Sequence, residues 1–267
     1  MKGILISGIH HWGFSIRSPK VSAGGSSYPY VPISTILGAL SRGYCTNYAV
    51  KDGTSCTEEF INNYKDYIFW VAYGVNEPRL LHYSDLMREE RIPYRQKKYR
   101  SLTRKEKGEV IDNTREWFGV SAFGKTYGES VAFTIALIVS GKEGELSKYS
   151  WGIVSLGSKE SLVTVTDVRV VEATEENVGE FYTSFFVPAI CSEELEGFEK
   201  YQLPVVNNYK LSKEPVEGVF DDFWVPVYGP LVGGKAKVSN VSGECVIFKL
   251  GDEYLVTPKE GLRRWLK

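Results

Sequence analysis

HHWGFSIRSPKVSAGGSSYPYVPISTILGAL, residues 10–40, decides how the rest of the chain is read. Three kinds of segment meet in it. Residues 2–12 have strand character and end in His10, His11 and Trp12. Residues 15–32 form a loop rich in Ser, Gly and Pro that carries Arg17 and Lys20. After Pro32, the residues Ile33, Ile36, Leu37 and Leu40 fall at i, i+3, i+4 and i+7, the apolar face of a helix that Gly43 is placed to end. The loop is dense in donors. Ser15, Ser18, Ser22, Ser26 and Ser27 offer hydroxyls, and Gly24 and Gly25 let backbone approach a ligand closely. Ser34 and Thr35 stand at the helix N-terminus, where free amides favour phosphate. Composition alone fits an idle, solvated surface loop equally well.

Outward from this stretch, the 267 residues are long enough to bury a large core. The net charge of −1 and pI near 6.4 exclude a chain that attracts nucleic acid as a whole, so any such role needs a local patch. One exists. Residues 88–107 hold nine bases against three acids, a local +6 that leaves −7 for the remainder. Lys97, Lys98, Arg100 and Arg104 are interleaved there with Tyr94 and Tyr99, the pattern in which charge tracks phosphates and rings stack bases. The segment has too few apolar residues for a core element and is expected to be a protruding arm. Residues 159–222 are acidic, fourteen acids to five bases, and should face away from nucleic acid or toward a basic protein.

Strands are expected at residues 67–73, 129–140, 149–156, 162–171, 224–228, 245–250 and 254–257, with a second helix from Thr57. The order predicts an α+β ferredoxin-like unit over residues 1–171 and a smaller β-rich part over 172–267.

Four separate cysteines, Cys45, Cys56, Cys191 and Cys245, have no zinc spacing and read as reduced thiols in a cytoplasm. Residues 2–8 are too short for a secretory segment and residues 131–139 too short for a membrane span. The two glutamines, Gln96 and Gln202, among many Lys and Glu resemble a thermophilic composition. With three histidines and no HExxH, neither a metal site nor any other cofactor is expected. The run from Gly229 to Ala236 nearly matches a phosphate-binding P-loop, but Ala236 lacks the hydroxyl that holds magnesium; it reads as a turn between strands. His10 and His11 should point to opposite faces of their strand.

Taken together, HWGFS, the Ser/Gly/Pro loop and VPISTILGAL (residues 31–40) resemble the N-terminus of the Cas-five family, RAMP-type subunits of type I CRISPR surveillance (Cascade) complexes. LGSKESLV, residues 156–163, is similar to a segment of the archaeal subtype I-A branch. The resemblance covers residues 6–45 and 114–166. It implies a ferredoxin-like (RRM-like) RAMP domain with a thumb-like excursion, where the basic arm stands. It also implies binding of the 5′ handle of CRISPR RNA and contact with the backbone and large subunits; target DNA is an alternative ligand for the arm, and no cofactor and no membrane are expected. On this reading Arg17, Lys20, Ser22 and Ser34 hold handle phosphates, Lys97, Lys98, Arg100 and Arg104 clamp RNA, and Lys125 and Lys159 lie in Gly-rich turns beside it. The alternative is a metal-independent endoribonuclease using His10, His11 or Tyr44. The branch that cleaves RNA combines Tyr, Lys and His, and here no histidine follows His82.

Overall fold

The computed structural model describes residues 1–16, 27–46, 55–90, 118–158, 160–206 and 219–266. Its architecture is α+β with mostly antiparallel sheets, as the order of segments predicts. The first sheet has six strands. β1 (Lys2–His10) lies at its centre, between β6 (Val131–Val139) and β7 (Val163–Glu176). β3 (Ile68–Gly74) flanks β6, and β14 (Cys245–Leu250) and β15 (Glu253–Pro258) extend the sheet beyond β7. From Ile135 to Val139 β6 is buried on both faces, while its first half alternates, with Ala132 exposed. Residue 172, where composition changes, lies inside β7, which pairs with β1 before it and β14 after it.

Three helices are described: α1 (Ile33–Cys45), α2 (Cys56–Tyr64) and α3 (Glu143–Ser150). In α1 the apolar stripe Ile33, Ile36, Leu37 and Leu40 is buried, each side chain contributing roughly 1.5–3 kcal/mol. Ser55 caps α2, accepting from the Glu58 amide at 3.1 Å. Residues 149–156, expected as a strand, are instead the end of α3 and a turn, with a bridge between Ser155 and Leu162 and the Val163 N–H at the start of β7 donating to the Val154 carbonyl at 3.0 Å. The helix closes against α1 at Gly43, where a Cβ would stand 2.4 Å from the Tyr149 carbonyl oxygen.

A second sheet runs β10 (Phe198–Val206), β11 (Val219–Tyr228), β12 (Leu231–Val232), β4 (Leu80–Glu90), β5 (Phe118–Tyr127) and β2 (Gly13–Phe14), with β9 (Val187–Pro188) beside β11. β8 (Glu180–Thr183) and β13 (Ala236–Ser239) form a separate pair. The Gly-rich segment after Tyr228, read as a single turn, is a turn at Gly229 and Pro230, the short strand β12, and a link from Gly233 to Lys235 into β13. Buried aromatics join the two main sheets: Tyr73 meets Tyr30, Tyr30 meets Phe186, and Phe186 meets Phe223.

The cysteines correct the sequence reading. Cys45 at the end of α1 bonds Cys56 at the start of α2, and Cys191 bonds Cys245. Helix ends and sheet pairing bring these thiols together, which spacing along the chain does not reveal. No helix among the described residues is long and apolar enough to cross a membrane.

Candidate nucleic-acid interface

α1 has a second face. Ser34, Gly38, Ser41, Arg42 and Cys45 recur at helical spacing opposite the apolar stripe, and they wall a cleft of about 1150 Å³. Apart from Arg42 the residues are small, and a Cβ added at Gly38 would meet nothing within 4 Å. The first turn of α1 holds no acidic residue to offset the positive end of the helix. The opposite wall comes from residues 12–16, from Lys125 and Tyr127 on β5, and from Ser155, Gly157, Ser158, Glu160 and Ser161.

Hydroxyls and backbone bind these pieces together. Ser15 N–H donates to Ser161 Oγ at 3.1 Å, Ser158 N–H donates to the Ser15 carbonyl at 3.0 Å, and the Ser158 and Ser161 hydroxyls meet at 3.1 Å. Gly157, at φ +123°, has no room for a side chain, because a Cβ would stand 2.7 Å from Ile16. Described parts of the stretches that resemble the family in sequence, residues 12–16, the start of α1, and Gly157, Ser158, Glu160 and Ser161, therefore meet in space at this cleft. Its charged lining is Arg42, Lys125 and Glu160, and no ion pair holds Arg42 among the described residues.

The predicted site residues divide. Ser34 and Lys125 line the cleft. Arg17, Lys20, Ser22, Lys97, Lys98, Arg100, Arg104 and Lys159 lie outside the described residues. The basic arm begins inside β4, which pairs with β5 from Leu81 opposite Tyr127 to Glu90 opposite Phe118. Arg42, Trp12 and Tyr127 are additions that sequence reasoning missed. Arg42 sits one residue past the Ser34–Gly38–Ser41 stripe and was legible there; the placement of Tyr127 depends on sheet register, which composition does not carry.

Of the alternative catalytic residues, His10 is corrected outright. The two histidines point to opposite sides, as alternation predicts; His10 is the inward one, fully buried among Phe14, Tyr73 and Phe133. Nε2 meets the Tyr73 hydroxyl at 2.7 Å, while Nδ1 has no polar partner among the described residues. Burial, with the neighbouring His11 second, pushes its pKa down to about 3, so the ring is neutral at physiological pH and reaches no ligand. His11 is exposed, 2.9 Å from the Thr164 hydroxyl. Tyr44 donates to Glu59 at 2.8 Å and packs against Phe60, Tyr64 and Tyr149. Burial and that carboxylate raise its pKa, which holds the phenol protonated and unsuited to act as a base. None of the three lines the cleft.

The fold is that of a CRISPR-associated protein: a CRISPR protein from Archaeoglobus fulgidus aligns over 97% of this chain and 100% of its own, with a TM-score of 0.59 at 18% identity. No family model matches the sequence. The CRISPR-associated protein Cas5 2 of Saccharolobus solfataricus is 53% identical over 269 residues, 99% of each chain. A second protein of that organism, the CRISPR system aCascade subunit Cas5 1, is 26% identical over 246 residues, 89% of this chain and 95% of its own. Identity above one half along the full length is decisive, and the chain belongs to the Cas5 family of CRISPR-associated proteins.

Proposed function

We propose that this chain is a non-catalytic RNA-binding subunit of a type I-A Cascade complex, seating the 5′ handle of CRISPR RNA in the cleft between α1 and residues 155–161. The observation that carries the reading is the cleft's construction. A helix N-terminus without acidic residues, a wall of serines and two cations converge from four separate parts of the chain. That combination suits a phosphate backbone, with hydroxyls and amides positioning the strand and cations drawing it in. The relative named as an aCascade subunit supports assembly into such a complex. The order β7-β1-β6-β3, with all neighbours antiparallel and helices crossing between β1 and β3 and between β6 and β7, supports a ferredoxin-like RAMP domain. The arm between β4 and β5 would reach the backbone and large subunits and the target DNA, its charge matching their nucleic acid.

The test is a salt titration of affinity for a short RNA bearing the handle. Arg42→Glu and Lys125→Glu should each weaken binding and flatten the dependence of log K on log salt by about 0.7 per lost phosphate contact. Unchanged affinity and slope in both variants would refute the cleft as the RNA seat. In EDTA the protein should leave repeat RNA uncut; a discrete product abolished by a 2′-deoxy at the scissile position would make it a ribonuclease instead.

A further inference from the structure

The second sheet carries an exposed strip that a folded core does not need. In antiparallel register, Tyr127 on β5 stands opposite Leu81 on β4, Leu81 opposite Leu231 on β12, and Leu231 opposite Tyr228 on β11. Directly opposite residues share a face of the sheet. All four are exposed, between 37% and 45%. At the cleft end Trp12, 57% exposed, lies nearly parallel to Tyr127, their rings 6.4 Å apart and inclined by 23°. Elsewhere Trp70, Tyr73 and Phe223 are fully buried, and the other exposed aromatics among the described residues, Tyr67, Trp151 and Tyr182, stand apart from this strip.

The placement of Trp12 is enforced. Gly13 has φ +84°, and a Cβ there would stand 2.0 Å from the Thr126 carbonyl oxygen and 2.9 Å from the Tyr127 Cα. Only glycine lets the chain lie flat on β5 at this point, and this lays the indole beside Tyr127. Lys125 stands two residues before Tyr127 on the same strand, hence on the same face, and opposite Tyr83. Rings thus alternate with a cation along a strip that opens into the cleft, of which Trp12, Lys125 and Tyr127 are lining residues.

We propose that Trp12 and Tyr127 form a nucleobase-stacking platform that takes unpaired bases of single-stranded RNA as the strand leaves the cleft. The inference rests on the cleft reading above and extends it from phosphates to bases. The strip is aromatic at the cleft end, and a ring stacks any base face. Tyrosine and tryptophan also serve protein interfaces, so it is the cation within the strip and the adjoining hydroxyl wall that favour a nucleic acid here.

The test uses the full-length chain with Trp12→Leu and Tyr127→Leu, which keep the sites apolar but remove the rings, and with Trp12→Phe and Tyr127→Phe as conservative controls. Affinity is measured for single-stranded and for fully duplex RNA, with 2-aminopurine in the single strand reporting stacking. Each leucine variant should lose about tenfold in single-strand affinity, with the salt slope unchanged because no phosphate contact is lost. Duplex affinity and the melting temperature should hold, the 2-aminopurine quench should fall, and the phenylalanine variants should recover most of the binding. Leucine variants that bind like the parent while Lys125→Glu loses affinity would overturn the platform and leave the cleft standing. Leucine variants that keep RNA but lose a protein subunit would assign the strip to a protein interface. A parent chain that binds no RNA would overturn both readings.

Discussion

His10 offers a test of the core beneath the cleft. Its ring sits in a box of Phe14, Tyr73 and Phe133, with one polar partner, the Tyr73 hydroxyl at 2.7 Å. An imidazolium needs two acceptors and finds at most one, so burial pushes the pKa to about 3 against an ordinary value of 6.5. The folded state then binds fewer protons than the unfolded state between those two values. Stability is intact above pH 6.5 and falls as pH drops toward 3. The gap of about 3.5 units corresponds to about 5 kcal/mol across the full window. Between pH 6.5 and 5, above the range where unfolded carboxylates titrate, the loss should be roughly 1–2 kcal/mol. Urea unfolding at half-unit pH steps measures it, with His10→Phe as the control. The variant forfeits the bond to Tyr73, so it should be less stable at neutral pH, but nearly flat over that interval. A parent protein with no slope there, or a variant that keeps the parent's slope, would show that His10 is not the buried neutral group described.

Other consequences follow from packing. The Cys45–Cys56 and Cys191–Cys245 disulfides span 11 and 54 residues, and loop-closure entropy assigns them about 3 and about 4 kcal/mol; serine replacement of each pair should lower the denaturation midpoint accordingly, and thiol titration of the unreduced, unfolded chain should find no free thiol. Gly43→Ala places a methyl against the Tyr149 backbone and should cost about 1–3 kcal/mol, seen as a lower melting temperature, whereas Gly38→Ala, on the open wall of the same helix, should raise the melt through the better helix propensity of alanine, by about 0.5–1 kcal/mol. Tyr44→Phe should remove the bond to Glu59 and lower stability by about 1 kcal/mol without changing RNA affinity.

Much of the frame was legible. The apolar spacing at Ile33, Ile36, Leu37 and Leu40 located α1, and residues 245–250 match β14 at both ends. The helix α3 was hidden because EGELSKYS carries almost no stripe; only Leu146 and Ser150 are buried, so periodicity had nothing to register. The cysteine reading failed for a different reason. Residues 54 apart became neighbours only when β14 joined the sheet and a short 3-10 turn (Ala189–Cys191) presented its last residue. At the cleft, Ser34 and Lys125 were found by local chemistry, a helix start and a Gly-rich segment. Arg42 and Tyr127 needed the helix face and the strand register. Trp12 was visible as part of HWGFS, but its exposure follows from the backbone that Gly13 permits.

The central claim is that RNA lies in the cleft walled by α1 and residues 155–161 and leaves it across Trp12 and Tyr127. Zero-length ultraviolet crosslinking of the assembled, native complex, followed by mass spectrometry of the nucleotide-bearing peptides of this chain, tests it most directly. Adducts from a short processed RNA should fall at Trp12 and Tyr127 and on peptides containing Ser34, Arg42 or residues 155–161. An RNA-loaded complex in which every adduct of this chain lies on other surfaces would contradict the account.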